Sequence, residues 1–177
     1  GHREYHEGGY EMDWVKWLAG ENEEWPEREL DRCINDAQKD IRKLEEEISI
    51  GAGEKRPVTE WVGWCGPLVN LMTGSIMPLW HGQLLLARFR YFDPERKRPG
   101  IPEDCAAMVD NMTDDTATLV LVNLNTEEKR TVLVQTGAYA EHQCVSVEQE
   151  DGTPITVNGT CFIVELTPGS GQRMTVH

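Results

Sequence analysis

The stretch TATLVLVNLNTEEKRTVLVQTG, residues 116–137, decides the fold. It contains two runs rich in Val, Leu and Thr, which flank a polar segment of Asn, Glu and Lys. Short apolar and β-branched runs between polar turns are typical of antiparallel strands. Apolar side chains occupy every position from 119 to 122, so they point to both faces of the first strand. We therefore predict an interior strand that is buried on both faces.

Further strand-like runs follow this pair to the end of the sequence. They are HQCVSVEQE (142–150), PITVNG (154–159), TCFIVELTPG (160–169) and QRMTVH (172–177). Asp151-Gly152 and Asn158-Gly159 favour hairpin turns, whereas Thr167-Pro168-Gly169 separates the last two runs. In the run 142–150 we expect Val145 and Val147 to point inward. This rhythm predicts an antiparallel β-sandwich domain over residues 101–177.

A long helix is the clearest feature of residues 1–100. It is predicted from Pro26 to Ile48: Pro26 suits its first position, and apolar residues then recur at spacings of four and three. They are Leu30, Ile34, Ala37, Ile41, Leu44 and Ile48. This stripe favours packing on a neighbouring domain; a coiled-coil dimer has the same pattern, but three heptads are marginal alone. The predicted fold class is α+β, with a helical and irregular segment (1–100) before the β-sandwich.

The first twenty residues, GHREYHEGGYEMDWVKWLAG, combine a polar start with an aromatic patch. Their tryptophans, with Trp25 just beyond, suggest packing on an upstream domain or a partner chain. His2, Glu4, His6 and Glu7 carry groups that can bind metals, but an exposed end is the interpretation we favour. We therefore predict no metal site and no cofactor.

Residues 57–82 hold the most chemically suggestive cluster of the sequence. Aromatic rings beside carboxylates are typical of sugar sites, because a ring stacks on the C–H face of a sugar while an acid handles hydroxyls or protons. The candidates are Glu60 and His81 as acid and base, and Trp61, Trp64 and Trp80 as substrate contacts. The alternative, which we favour, is a buried aromatic anchor between two domains, with His81 bonded to a backbone carbonyl.

A basic cluster follows, on and after a predicted strand over residues 84–92. Its members are Arg88, Arg90, Arg96, Lys97 and Arg98. Arg88 and Arg90 are candidates for binding an anionic substrate such as a uronate or a sulfated glycan. Pairing with the protein's own carboxylates is the alternative that we favour. Beyond Pro102, residues 103–112 are predicted to form a short helix that leads into the β region.

The predicted loop GAYAEHQ, residues 137–143, carries aromatic and ionisable side chains between two strands. Tyr139 and His142, together with Glu141, could reach a neighbouring active site. The alternative is that they cap the sandwich with hydrogen bonds, and this is the interpretation we favour.

Charge and composition exclude several classes of function. The net charge of −14 argues against nucleic acid as a partner, because phosphate binding needs a clustered positive field. No apolar run is long enough to cross a membrane, no signal peptide is visible, and the compartment stays unknown. The five cysteines include no Cys-x-x-Cys pair, so we predict mostly free thiols, with a Cys144–Cys161 disulfide as the alternative in an oxidising compartment.

Residues 118–143, TLVLVNLNTEEKRTVLVQTGAYAEHQ, and 164–176, VELTPGSGQRMTV, resemble the C-terminal β-sandwich of many glycoside hydrolases and related carbohydrate-active enzymes. Residues 66–94, GPLVNLMTGSIMPLWHGQLLLARFRYFDP, are similar to the tail of large bacterial proteins that carry such a sandwich. In those enzymes the catalytic carboxylates lie on the domain before the sandwich. The resemblance therefore assigns no catalytic residue to this chain.

The resemblance implies a non-catalytic C-terminal portion or small subunit of a larger carbohydrate-active enzyme, which supports or edges its active site. A larger catalytic chain or an upstream domain is then the expected partner, within an oligomeric assembly. One alternative is a carbohydrate-binding module that uses Trp61, Trp64 and Trp80. The other is a small acid/base enzyme that uses Glu60 and His81.

Overall fold

The structure is a computed structural model that describes residues 10–49, 66–75 and 86–177. The chain divides into two compact units, Gly1–Leu68 and Val69–His177. The order of elements, helices first and antiparallel strands after them, is the α+β order that the sequence predicts. None of the described helices combines the length and apolar character needed to cross a membrane.

The helical unit contains α1 (Tyr10–Leu18) and α2 (Trp25–Ser49), and a third helix, α3 (Gly66–Thr73), spans the boundary between the units. The predicted long helix is confirmed to within one residue at each end. Trp14 and Trp25 are buried, and the rings of Trp17 and Trp25 lie tilted with centroids 6.2 Å apart. The Trp17–Trp25 contact joins α1 to α2 within the chain, and Trp14 and Trp25 are buried in it, whereas the sequence suggested packing on an upstream domain or a partner chain.

Nine strands are described, and they form two antiparallel sheets. The strands are β1 (Phe89–Asp93), β2 (Arg98–Pro99), β3 (Cys105–Met112), β4 (Ala117–Asn123), β5 (Arg130–Thr136), β6 (Cys144–Gln149), β7 (Pro154–Gly159), β8 (Cys161–Leu166) and β9 (Gly171–Val176). One sheet has the order β2-β1-β5-β8 and the other the order β3-β4-β9-β6-β7. Because β1 and β2 precede residue 101, the sheets begin upstream of the sandwich range expected from the sequence.

The two sheets enclose one apolar core, as in a β-sandwich. Phe89, Val134 and Leu166 from the four-stranded sheet belong to the same buried cluster as Leu119 and Met174 from the five-stranded sheet. The chain changes sheet after β2, β4, β5, β7 and β8, so most sequence neighbours lie on opposite sides of the core. Each side chain of this size contributes about 1.5–3 kcal/mol when it is fully buried.

A buried amide ties the end of β4 to the other sheet. The Asn123 side chain donates to the backbone oxygens of Glu128 at 2.8 Å, Thr167 at 3.2 Å and Leu166 at 3.4 Å. Its oxygen accepts a hydrogen bond from the backbone N–H of Asn125 at 3.0 Å. Because Leu166 ends β8 and Glu128 precedes β5, a side chain of the five-stranded sheet satisfies backbone oxygens at one end of the four-stranded sheet.

The short helix predicted for residues 103–112 is wrong, because this segment forms β3. Cys105–Met112 pairs with β4 through seven residue pairs, from Cys105 with Asn123 to Met112 with Ala117. Ala106, Ala107 and Met108 have good helix propensity, but a strand here supplies hydrogen bonds to one edge of β4. Val109 enters the core, so tertiary pairing overrides local preference.

Three further expectations about the strands need correction. The outer face of β4 is only half-buried at Val120 and Val122, so this interior strand is fully buried on one face. A bulge between Cys144 and Ser146 turns Val145 outward, although Val147 points inward as predicted. Asn158-Gly159 makes no hairpin, since β7 and β8 lie in different sheets.

Removal of the Asn123 amide tests its role as a tie between the sheets. We expect Asn123→Ala to lower the free energy of unfolding by about 1–3 kcal/mol, because three backbone carbonyls, one of them on the buried Leu166, lose a donor. Asn111→Ala is the matched control, since Asn111 is exposed in β3. Urea unfolding monitored by circular dichroism measures both variants, and equal midpoints would contradict this role for Asn123.

Candidate functional site

A polar cleft opens where several strands of the β unit begin or end, and it encloses about 250 Å³. Its charged and polar lining includes Arg88, Asp114, Asp115, Thr136, His142 and His177. Phe89 and Cys144 belong to its apolar lining. The cleft thus brings together Arg88 and His142, which the sequence proposed as substrate contacts. Its volume lies just below the usual range of ligand pockets, about 300–1,000 Å³, and suits one small polar molecule.

Arg88 is held by its backbone between α3 and the loop after β5. Its N–H donates to the oxygen of Thr73 at 2.8 Å, and its own oxygen accepts from Gly137 at 2.7 Å. Gly74 has a φ of +61°, and a Cβ there would come within 3.2 Å of the Arg88 side chain. Glycine therefore serves both the turn after α3 and the close approach of this arginine.

Local turns position the acidic and C-terminal parts of the lining. In the turn between β3 and β4, the Thr113 hydroxyl accepts from the backbone N–H groups of Thr116 at 2.9 Å and Asp115 at 3.3 Å. The backbone of His177 exchanges hydrogen bonds with Ser146 and Val145, which places it beside the start of β6. The carboxylates and the imidazole are thus set by sheet ends that are distant in sequence.

The loop from Gly137 to His142 is organised by the carboxylate of Glu141. This group accepts the backbone N–H of Tyr139 at 2.6 Å and that of Ala138 at 3.1 Å. Partial desolvation of Glu141 is the largest single influence and raises its pKa, but the backbone hydrogen bonds together outweigh it and lower the pKa. Thr136 donates to the backbone oxygen of His142 at 2.6 Å, which anchors the end of the loop.

The other two candidates of this region lie outside the lining of the cleft. Arg90 donates to the backbone oxygen of Ala138 at 3.0 Å, and its guanidinium lies 5.4 Å from the centroid of the Phe92 ring. Tyr139 is exposed at the tip of the loop. Arg90 therefore supports the loop that carries Tyr139 and His142, a contact in keeping with the capping alternative.

Two other arginines of the basic cluster pair with the protein's own carboxylates, which is the alternative favoured from the sequence. Arg96 forms an ion pair with Glu103, and Arg98 lies with its Nε 3.5 Å from a carboxylate oxygen of Asp93. Arg88, in contrast, lines the cleft. Self-pairing thus accounts for Arg96 and Arg98, whereas Arg88 is part of the cleft lining.

Cys144 is a cysteine of the cleft lining, and its side chain is buried. Burial raises the pKa of the Cys144 thiol, which donates to the backbone oxygen of Ser146 at 3.6 Å. A thiol with a raised pKa is a poor nucleophile at neutral pH. Within the described residues, no group of three or more His, Cys, Asp and Glu side chains is arranged to hold a metal ion. Cys144 and Cys161 are free thiols in strands of different sheets, so the alternative disulfide is not formed.

A second candidate surface lies on α2, in the helical unit. Four apolar side chains of the predicted stripe are exposed, with fractional exposures of 46% for Leu30, 45% for Ile34, 50% for Ile41 and 70% for Ile48. The buried residues of this helix are Trp25, Glu29 and Cys33. The apolar stripe and the buried face are therefore two separate faces of one helix.

Several predicted site residues lie outside the residues that the structure describes. They are Glu60, Trp61, Trp64, Trp80 and His81. Sequence reasoning in turn missed Asp114, Asp115, Thr136 and His177 in the lining of the cleft. The adjacent acids just before the strand-like run that begins at residue 116 were the available signal for Asp114 and Asp115, but nothing local linked them to Arg88. Comparison with models of protein families, with curated proteins and with solved structures finds no match.

Acidification tests the role of Glu141 in shaping the loop. The pKa of Glu141 in the folded protein lies below the ordinary glutamate value of 4.5. The ionised Glu141 side chain therefore stabilises the fold above pH 4.5, and this contribution is lost as the pH falls through the lowered pKa. We expect the amide signals of Ala138 and Tyr139 to shift together in that acidic range, as measured by NMR. Glu141→Ala should displace both signals already at neutral pH, whereas Glu127→Ala should leave the pH response intact. Signals that do not respond to acid would contradict this assignment.

Proposed function

We propose that this chain is a non-catalytic, partner-binding part of a larger carbohydrate-active enzyme. The sandwich supplies a structural module, and the helical unit supplies the surface that meets the larger catalytic chain or upstream domain. The resemblance of residues 118–143 and 164–176 to the sandwiches of such enzymes supports the carbohydrate-active context. The exposed apolar stripe of α2 is the single observation that carries the partner-binding role.

Leaving this stripe in water costs free energy, because apolar surface is stabilised by burial. Leu30, Ile34, Ile41 and Ile48 lie along one side of α2, with the half-buried Ala37 and Leu44 on the turns between them. Exposed apolar strips of this kind mark interaction sites. Glu27, Lys39 and Arg42 are also exposed on this helix, so it presents polar and apolar faces side by side. An amphipathic helix is recognised by anchors at such spacings when it enters an apolar groove.

The mass of the native particle tests this proposal. We expect the mass of the native assembly to be well above the 20.1 kDa of this chain. A different polypeptide or domain, which is catalytic, should carry the activity on polysaccharide. Native mass spectrometry after mild lysis measures the mass, and a reducing-sugar assay measures the activity. A native mass near 20 kDa, or glycan cleavage by this chain alone, would contradict the proposal.

Substitution of the stripe links the assembly to α2. We expect Ile34→Asp combined with Ile41→Asp to release the chain from the particle, because two charges would be buried in an apolar contact. Ile163→Asp is the control, since it adds a charge at an exposed apolar position of β8. Circular dichroism verifies that the helix persists in the released chain.

A second candidate function, favoured by the lining of the cleft, is the binding of an acidic sugar. The Arg88 guanidinium can donate to a carboxylate, and Asp114 and His142 can bond hydroxyl groups. An NMR titration with glucuronate should shift signals around the cleft, whereas glucose should have a smaller effect. Arg88→Gln should remove the preference for glucuronate, and Lys129→Gln, which removes an exposed charge elsewhere, should retain it. Equal responses to both sugars would exclude this function.

A further inference from the structure

The four-stranded sheet ends at β8, whose outer edge pairs with no described strand. On the inner side, Thr136 of β5 donates its N–H to the oxygen of the opposite residue, Thr160, at 2.9 Å. Backbone groups along an antiparallel strand point alternately to its two sides. Since those of Thr160 point toward β5, the N–H and C=O groups of Cys161, Ile163 and Glu165 point away from it, to the open edge.

Most of these edge groups lack a hydrogen-bond partner among the described residues. The exception is the oxygen of Glu165, which accepts a hydrogen bond from the Gln172 side chain at 3.3 Å. Cys161, Ile163 and Glu165 are also exposed, and the fractional exposure of Ile163 reaches 63%. Unpaired backbone groups beside an exposed isoleucine form a template for the addition of a further strand.

The other three edges of the described sheets carry features that hinder such pairing. The strand β2 has only two residues, one of them Pro99. The strand β3 has a bulge between Val109 and Asn111. The strand β7 begins at Pro154, and its Asn158 has a φ of +50°. Short strands, prolines and bulges are the usual protection of sheet edges. Because β8 has no proline, lysine or bulge, it is the open one among these edges.

An apolar row crosses the outer face of the four-stranded sheet and ends at this open edge. Its members are paired across neighbouring strands in the order Pro99, Phe92, Leu133 and Ile163. Directly opposite residues of antiparallel strands share one face of the sheet. Phe92 and Leu133 are half-buried, whereas Ile163 is exposed at the end of the row. A strand added to β8 with an apolar residue opposite Ile163 would continue the row.

A second copy of β8 meets these requirements in one antiparallel register. When Ile163 lies opposite Ile163 of the second copy, Cys161 lies opposite Glu165 of the second copy. All three edge residues of each copy are then paired, and the two isoleucines meet at the two-fold axis. Any displaced register leaves at least one edge residue beyond the paired strands. A register with Glu165 opposite itself is also penalised, because like charges directly opposite are destabilising.

We propose that the open edge of β8 pairs with β8 of a second copy of this chain, in antiparallel order and with Ile163 at the two-fold axis. The two four-stranded sheets then form one continuous sheet, and the apolar row runs through both copies. A strand pair of this length is a small interface, so the dimer is weak and depends on concentration. This inference goes beyond the proposed function, because it involves neither α2 nor the larger chain.

Charges placed at position 161 test the register. Cys161→Lys puts a cation opposite Glu165 of the second copy, whereas Cys161→Glu puts an anion there, and each contact occurs twice in the dimer. We expect the dissociation constant of self-association, measured by analytical ultracentrifugation, to be at least about tenfold lower for Cys161→Lys than for Cys161→Glu.

Gln149→Lys and Gln149→Glu are the matched controls, because they make the same changes at an exposed position of the other sheet. Their dissociation constants should lie within about threefold of each other, since separated exposed charges are screened by salt. An equal difference between the lysine and glutamate variants at both positions would overturn the proposal.

A disulfide at the two-fold axis tests the pairing directly. Opposite residues of an antiparallel pair have Cα atoms about 4.5–5.5 Å apart, which suits a disulfide. Ile163→Cys, in a chain that also carries Cys161→Ser, should therefore form a covalent dimer on mild oxidation, as measured by non-reducing gel electrophoresis.

The unmodified chain is the control for this experiment, because its Cys161 is also an exposed free thiol. In the proposed register it lies four residues, about 14 Å, from Cys161 of the second copy, which is too far for a disulfide. The unmodified chain should therefore stay largely monomeric on the gel. Covalent dimer that forms equally in both chains, or in neither, would overturn the proposal.

Two sets of substitutions separate this inference from the proposed function. Ile34→Asp with Ile41→Asp should release the larger chain and leave the dissociation constant of self-association unchanged. Ile163→Asp should retain the larger chain through α2 but raise that constant at least about tenfold, because two anions meet at the axis.

The opposite outcomes identify which proposal fails. Self-association that is lost with the α2 substitutions, or a chain that stays monomeric at every concentration, would overturn the β8 proposal and leave the partner-binding function standing. Loss of the larger chain in Ile163→Asp would show that the edge receives a strand of that chain instead, which also overturns the β8 proposal. Self-association through β8 without any larger particle would uphold the β8 proposal and reject the partner-binding function.

Discussion

Burial of the inward faces of the two sheets is the interaction on which the β unit depends. Side chains such as Leu119, Val132 and Leu166 are fully buried, and at about 1.5–3 kcal/mol each they offset much of the entropy lost by ordering the strands. The buried amide of Asn123 works under the same constraint, because its surroundings exclude water and its bonds must be met by backbone groups. Apolar packing thus sets the separation of the sheets, and the amide ties their ends.

The cleft is a consequence of how the strands end. Arg88 precedes β1, Asp114 lies in the turn after β3, and His142 leads into β6, so pairing of the strands brings together residues far apart in sequence. None of them has to serve the core, since polar side chains at strand ends remain in contact with water. This freedom makes strand ends and loops the usual place for binding groups on a rigid scaffold.

The helix α2 is specified mainly by local signals, whereas the cleft depends on pairing between distant strands. Its local signals agree with one another, from Pro26 in the first turn to the regular stripe, and so the helix is well specified. Its burial, in contrast, is incomplete, because Ile34 and Ile41 remain about half exposed. This apolar strip on a well-formed helix is the observation on which the proposed partner-binding role rests.

The sequence by itself determined what depends on local periodicity: the extent of α2, the strands within residues 116–137 and the α+β order. Tertiary structure alone decided what depends on pairing between distant segments. Residues 105–112 form a strand because they supply backbone hydrogen bonds to one edge of β4, and a bulge turns Val145 outward. The cleft could not be foreseen as a unit for the same reason. The lining side chains meet only because distant strands pair and the two sheets pack together. Such side chains have no regular spacing in the sequence by which they can be recognised.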